Sequence, residues 1–180
     1  MAPHRVLVSA HRGGYAELSA AGASDRTLEN SLEAIAYAAS VGADYVEFDV
    51  RRCADGTWVI AHDPDVGPDG HHHTPIRRLS WAALHELAPG VLRLSEFLAA
   101  LGPTGIGAHV DMKFATPQDE REAGRLWEID LLEVLVASLD PSRIIMTTGN
   151  GAASNAMRDW IADRELPILV GLSIGASLRG

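Results

Sequence analysis

Gly42-Ala43-Asp44-Tyr45-Val46-Glu47-Phe48-Asp49-Val50 reads as a strand that is apolar on one face and acidic on the other. Successive side chains of a strand point to opposite faces, so Val46, Phe48 and Val50 pack one way while Tyr45, Glu47 and Asp49 face the other. Gly42 ends a helix before the run, and Asp55-Gly56 marks a turn after it. Two ionised carboxylates on the inner face of a strand are costly unless a cation or hydrogen bonds compensate. The stretch therefore asks for a polar centre enclosed by other strands.

Three more apolar runs end on residues that fit such a centre. Residues 6–10 lead into His11-Arg12-Gly13-Gly14, residues 57–61 lead into His62-Asp63, and a later run carries Asp111-Met112-Lys113. Strand-type runs at 5–10, 45–50, 57–61, 106–112, 143–148 and 168–173 alternate with Ala/Leu-rich stretches, the rhythm of βα units around a parallel sheet. Helices are expected at 31–41, 80–87, 95–101, 119–139 and 152–164. The first starts at an Asn30 N-cap, with Glu33 making an imperfect capping box. Residues 14–27 and 64–79 read as loops. The link from Asp49 to Thr57 is too short for a crossover helix. A hairpin turning at Asp55-Gly56 and a short extended return to a parallel strand both bring His62 beside Asp49. Six runs fall two short of the eight strands of a closed barrel. The expectation is a single domain over residues 1–180, α/β in class and truncated at its C-terminus.

A formal charge of −9 argues against a nucleic-acid binder, which needs a broad basic surface. It leaves room for an anionic small-molecule substrate, because a metal ion and a few cations can reverse the field inside a pocket. The single cysteine, Cys53, precludes an internal disulfide and fits a reducing compartment. The N-terminal stretch lacks the long apolar segment and cleavage site of a signal peptide, and no run is long enough to span a bilayer. A cytoplasmic location is expected.

Glu47, Asp49 and Asp111 are the candidate ligands of one divalent cation. Hard oxygen donors suit Mg²⁺ or Ca²⁺, and the His and Cys spacings are wrong for zinc. Asp111 shares its strand face with His109 and Lys113. His11 and His62 stand at the ends of separate strands and can exchange protons near neutral pH. Arg12 and Lys113 are candidates for neutralising phosphate oxygens, and Gly13-Gly14 would let the backbone approach a ligand. Glu29 and Asn30 either cap the following helix or contact Arg12 or substrate. His71-His72-His73 reads as incidental, Cys53 as inert, Trp58 and Trp127 as packing residues, and His85 as a surface side chain.

Taken together, His11-Arg12-Gly13, Glu29-Asn30-Ser31, the 42–50 stretch, Asp55-Gly56 and His62-Asp63 resemble the glycerophosphodiester phosphodiesterase family. The resemblance implies a TIM (β/α)8-type barrel, a divalent metal, and hydrolysis of glycerophosphodiesters to an alcohol and glycerol 3-phosphate. Matched position by position, it makes His11 and His62 the acid/base pair, Glu47 and Asp49 metal ligands, and Arg12 the phosphate contact. There are three departures. Asp111-Met112-Lys113 stands where the family usually has Glu-x-Lys, a pattern similar to the sphingomyelinase D and phospholipase D toxins. The stretch from His11 to Glu29 is long, with Leu28 in place of the common proline. The last barrel strands are missing. The competing readings are a lysophospholipase D-like lipid phosphodiesterase and a non-catalytic phosphate- or metal-binding module.

Overall fold

A computed structural model describes residues 5–14, 29–67 and 74–173 of the chain. Most of the expected 14–27 loop and Leu28 lie outside the described residues, as does His71-His72-His73. In chain order the elements are β1 (Ser9–Ala10), α1 (Leu32–Ser40), β2 (Tyr45–Arg52), β3 (Trp58–Ile60), β4 (Asp65–Val66), β5 (Thr74–Pro75), α2 (Trp81–Leu87) and β6 (Leu92–Arg93). They continue with α3 (Leu94–Leu101), β7 (Gly107–Met112), α4 (Gln118–Glu122), α5 (Trp127–Ser138), β8 (Ile144–Thr148), α6 (Gly151–Ala162) and β9 (Leu169–Leu172).

Strands β1, β2, β7, β8 and β9 pair in parallel, in that spatial order, as the staves of a TIM-type barrel. Among the described residues the sheet does not close on itself. The 57–61 run forms no stave: β3 returns antiparallel to β2, with Val50 opposite Ile60 and Arg52 opposite Trp58. Of the two geometries left open by the short link, the hairpin is the one formed. Its Asp55 side chain accepts from the Thr57 and Trp81 N–H groups, which ties the turn to the start of α2. The other face of β2 is the core. Val46, Phe48 and Val50 are fully buried beneath α1, α3, α5 and α6, and Phe48 meets Phe97 at a ring separation of 4.5 Å.

The structure corrects three expectations. Among the described residues the 5–10 run pairs only at Ser9–Ala10, and Val6, Leu7 and Val8 are exposed. Val8 is instead held by Asp44, whose carboxylate accepts its N–H and whose N–H donates to its carbonyl. The 119–139 helix is two helices, split where Gly124 takes φ +76 and Arg125 N–H closes onto Glu120 O. The fully buried Glu128 fixes this corner, accepting from Thr116 Oγ1 at 2.5 Å and from Arg121 at 2.6 Å. Finally, Ser31 and not Asn30 caps α1, its hydroxyl accepting from Ala34 N–H at 3.1 Å. No helix among the described residues is long and apolar enough to cross a membrane.

Gly13 has a packing role in the fold. It is buried at φ +80, and a Cβ there would stand 2.2 Å from the Cβ of Ala34 on α1. Gly13→Ala combines left-handed strain with overpacking, so a stability loss of about 2–4 kcal/mol is expected. Urea titration measures it, and an unchanged midpoint would show that the turn yields freely.

Candidate active site

Strands β2 and β7 run in register, with Glu47 beside His109 and Asp49 beside Asp111, so their inner faces pool three carboxylates. Each offers an oxygen, and these oxygens lie within 4.8 Å of one another. Asp49 is 1% exposed and Glu47 7%. The shorter Asp111 therefore still reaches the group.

Each acid is held by its surroundings. Asn30 clamps Asp49 at two points, accepting its N–H at 3.1 Å and donating to its Oδ2 at 3.0 Å. This is not a helix cap, and the Asn30 backbone N–H also donates to Arg12 O at 3.3 Å. The Asn30 backbone sits at φ 56, a left-handed geometry that asparagine tolerates better than most residues. Glu29 does contact Arg12, accepting from its Nη1 at 2.9 Å. Arg12, itself at φ 47, donates its backbone N–H to Glu47 Oε2 at 2.7 Å and brings Nε to 3.3 Å from Asp49 Oδ2. Lys113 Nζ lies 2.6 Å from Asp111 Oδ2 and 3.2 Å from Asp49 Oδ1. The two cations expected at phosphate oxygens thus stand against carboxylates. Thr147 on β8 donates to Asp111 Oδ1 at 3.2 Å and lies 3.3 Å from Nε2 of His109, whose Nδ1 meets Ser9 Oγ at 2.9 Å.

Electrostatics follow from this enclosure. Burial, reinforced by the charges of Asp49 and Asp111, pushes the Glu47 carboxyl up to about 7 against the pull of the Arg12 N–H. Burial works against the Lys113 ammonium, but its hydrogen bond to Asp111 and the nearby carboxylates raise its pKa overall. Burial lowers that of His109. Glu29, Glu47, Asp49 and Asp111 against Arg12 and Lys113 leave two negative charges when all are ionised. A divalent ion cancels that excess, so the donor set fits Mg²⁺ or Ca²⁺.

Both catalytic candidates border one cavity. A space of about 740 Å³ is lined by His11, Arg12, Glu29, His62 and Asp63 among others. His11 Nε2 is 4.0 Å from Glu47 Oε2. His62 Nδ1 meets Asp63 Oδ1 at 2.9 Å, a hydrogen bond that holds the Asp63 carboxyl below its usual range. The backbone of His62 is pinned as well, its carbonyl accepting from Arg51 Nε at 3.0 Å while Arg51 Nη1 donates to Lys113 O at 2.7 Å. Sequence reasoning misses Arg51, although it continues the inner face of Glu47 and Asp49 with the same period of two. Elsewhere, Cys53 is buried, its thiol pushed up to about 11 by burial and then by Asp55, and His85 is exposed.

The model of the glycerophosphoryl diester phosphodiesterase family matches residues 11–177. The chain belongs to that family. Within the family, the crystal structure of a glycerophosphodiester phosphodiesterase from Thermotoga maritima aligns at TM-score 0.65 and 26% identity, over 97% of this chain and 64% of its own length. A phosphodiesterase from Oleispira antarctica, solved with its product sn-glycerol-3-phosphate, aligns at TM-score 0.71 and 20% identity, over 97% of this chain and 68% of its own. At that identity the second match speaks for the fold alone. This family member therefore spans a little under two-thirds of the Thermotoga enzyme. No curated protein matches the chain.

Proposed function

We propose that this chain catalyses the metal-dependent hydrolysis of glycerophosphodiesters to an alcohol and glycerol 3-phosphate. One observation carries the reading: three carboxylate oxygens within 4.8 Å of one another lie beside a cavity lined by both His11 and His62. Glu47, Asp49 and Asp111 are the residues that would hold Mg²⁺ or Ca²⁺. When bound, the ion supplies Lewis acidity and charge neutralisation toward a phosphate oxygen. Arg12 and Lys113 add positive charge at the same place as negative charge grows on the phosphoryl oxygens.

The imidazoles move the protons. Asp63 accepts from Nδ1 of His62, which leaves Nε2 as the working atom. One histidine takes the proton of the attacking oxygen, and the other gives a proton to the departing alkoxide. The attacking oxygen is either water or the substrate's own glycerol hydroxyl, and the latter route passes through a cyclic phosphate. Asn30 acts by holding Asp49, and Glu29 by holding Arg12. The lone, buried Cys53 suits the reducing cytoplasm, the compartment we assign to the reaction.

The test is glycerol 3-phosphate release from glycerophosphocholine, with lysophosphatidylcholine run alongside. Release is expected with added Mg²⁺ or Ca²⁺, and none in chelator. His62→Ala is expected to slow it by about a hundredfold. A full rate in chelator, or turnover of the lysolipid alone, overturns the assignment.

A further inference from the structure

A second cavity, of about 450 Å³, opens at the end of β2 and β7 beside the carboxylate group. Its lining includes Arg51, Arg52, Arg77 and Lys113, with Asp65 the counter-charge, so its wall is strongly cationic in a protein of net charge −9. We propose that this cavity is the subsite for the leaving alcohol and selects head groups that carry an anion. The proposal rests on the phosphodiesterase reading and adds to it the class of substrate.

Lys113 belongs to both places: it lines the cavity, and its ammonium touches Asp49 and Asp111. A phosphodiester at the carboxylates has two arms; the first cavity adjoins them through Arg12, which touches Glu47 and Asp49, and the second through Lys113. The histidine-lined cavity offers Glu29 and Asp63, acceptors suited to the hydroxyls of a glycerol arm. The cationic one suits the variable arm when that arm is negative. Arg51, bonded to the His62 and Lys113 carbonyls, joins the floor of this cavity to the site.

Aromatic walls are the usual host of a quaternary ammonium, and Trp127 and Phe114 line the same space. That role is already filled by the protein itself. The Arg52 guanidinium lies over the Trp127 ring at 4.2 Å and over Trp58 at 5.2 Å, so the ring faces hold a fixed cation that repels a second one. Arg77 stands exposed at the rim, on a 3-10 turn, where its charge is available to an incoming group.

Three substrates that differ in the charge of the leaving alcohol separate the possibilities: bis(glycerophospho)glycerol, glycerophosphoglycerol and glycerophosphocholine, with anionic, neutral and cationic arms. The wild type is expected to favour the first over the last by about tenfold or more in kcat/KM, and calorimetric Kd values in chelator should rank in the same order. Arg77→Glu should reduce the preference for the anionic arm over the cationic one by roughly fivefold, with glycerophosphoglycerol turnover changing less than that of either charged substrate. Equal Kd values for the three compounds, or a preference indifferent to Arg77→Glu, overturns the subsite whether or not turnover occurs. Ranked Kd values without turnover of any compound keep the anion pocket and sink the hydrolytic reading.

Discussion

Asp49→Asn is expected to abolish divalent-ion binding and to lower glycerol 3-phosphate release by on the order of a thousandfold or more, while the chain stays folded. Asp49 sits at the centre of the site, 1% exposed and in contact with Asn30, Arg12 and Lys113 together. An amide of the same shape keeps the Asn30 clamp, because Asn30 Nδ2 can still donate to the remaining oxygen. Arg12 keeps Glu29 at 2.9 Å and Lys113 keeps Asp111 at 2.6 Å, so neither cation is stranded. What disappears is one negative charge among three ligands. The remaining excess of one no longer calls for a doubly charged ion, and the amide oxygen is a weaker donor to it. Calorimetric titration with Ca²⁺ and Mg²⁺ reads the first effect, and product release reads the second. Unchanged ion affinity in the variant would remove Asp49 from the ligand set, and with it the reason for placing phosphate here.

The period-two alternation in β2 displays the core face and the acidic face in the amino-acid sequence itself, because strand geometry alone dictates it. The Asp55-Gly56 turn and the placement of His11, His62 and Asp111 at strand ends are equally local signals. The features that sequence hides depend on partners far along the chain. Asn30 looks like a cap because caps are recognised from neighbours, yet its partner is Asp49, nineteen residues on. The helix expected across 119–139 has helix-favouring charged residues up to Gly124 and apolar ones from Leu126, and its break is set by the Thr116–Glu128–Arg121 contacts that no window of sequence displays. Val6, Leu7 and Val8 have strand-forming side chains, but a strand needs a ladder partner, and among the described residues the run finds one only at Ser9–Ala10. The roles of Arg12 and Lys113 are half legible. Cations near a phosphate site are expected from type and position, whereas their pairing with buried acids follows from the crowding of β1, β2 and β7 at one centre.

That crowding makes the ion-free protein pH-sensitive in a direction opposite to ordinary acid unfolding. The Glu47 carboxyl titrates near 7 in the fold, against 4.5 for the free side chain, because burial first and then the Asp49 and Asp111 charges disfavour its ionised form. A carboxyl with a raised folded pKa holds its proton more tightly in the native state, so it favours folding at low pH. Its contribution is full below about pH 4.5, declines as pH rises, and is gone above pH 7. The difference between the two values corresponds to about 3 kcal/mol. Chelated protein should therefore lose stability between about pH 5 and pH 7.5 relative to Glu47→Gln, whose neutral amide can still accept the Arg12 N–H but has no proton to lose in this window. Taking the difference between the two proteins cancels the histidines, including His109, whose lowered pKa works in the other direction. Adding Ca²⁺ or Mg²⁺ at about pH 7.5 should restore the wild type and leave Glu47→Gln nearly unmoved, because the ion replaces the proton as the partner of the buried carboxylate. Parallel stability curves for the two proteins across that range would show that Glu47 is solvated well enough to ionise freely, and the argument for an ion drawn in by buried charge would fail with it.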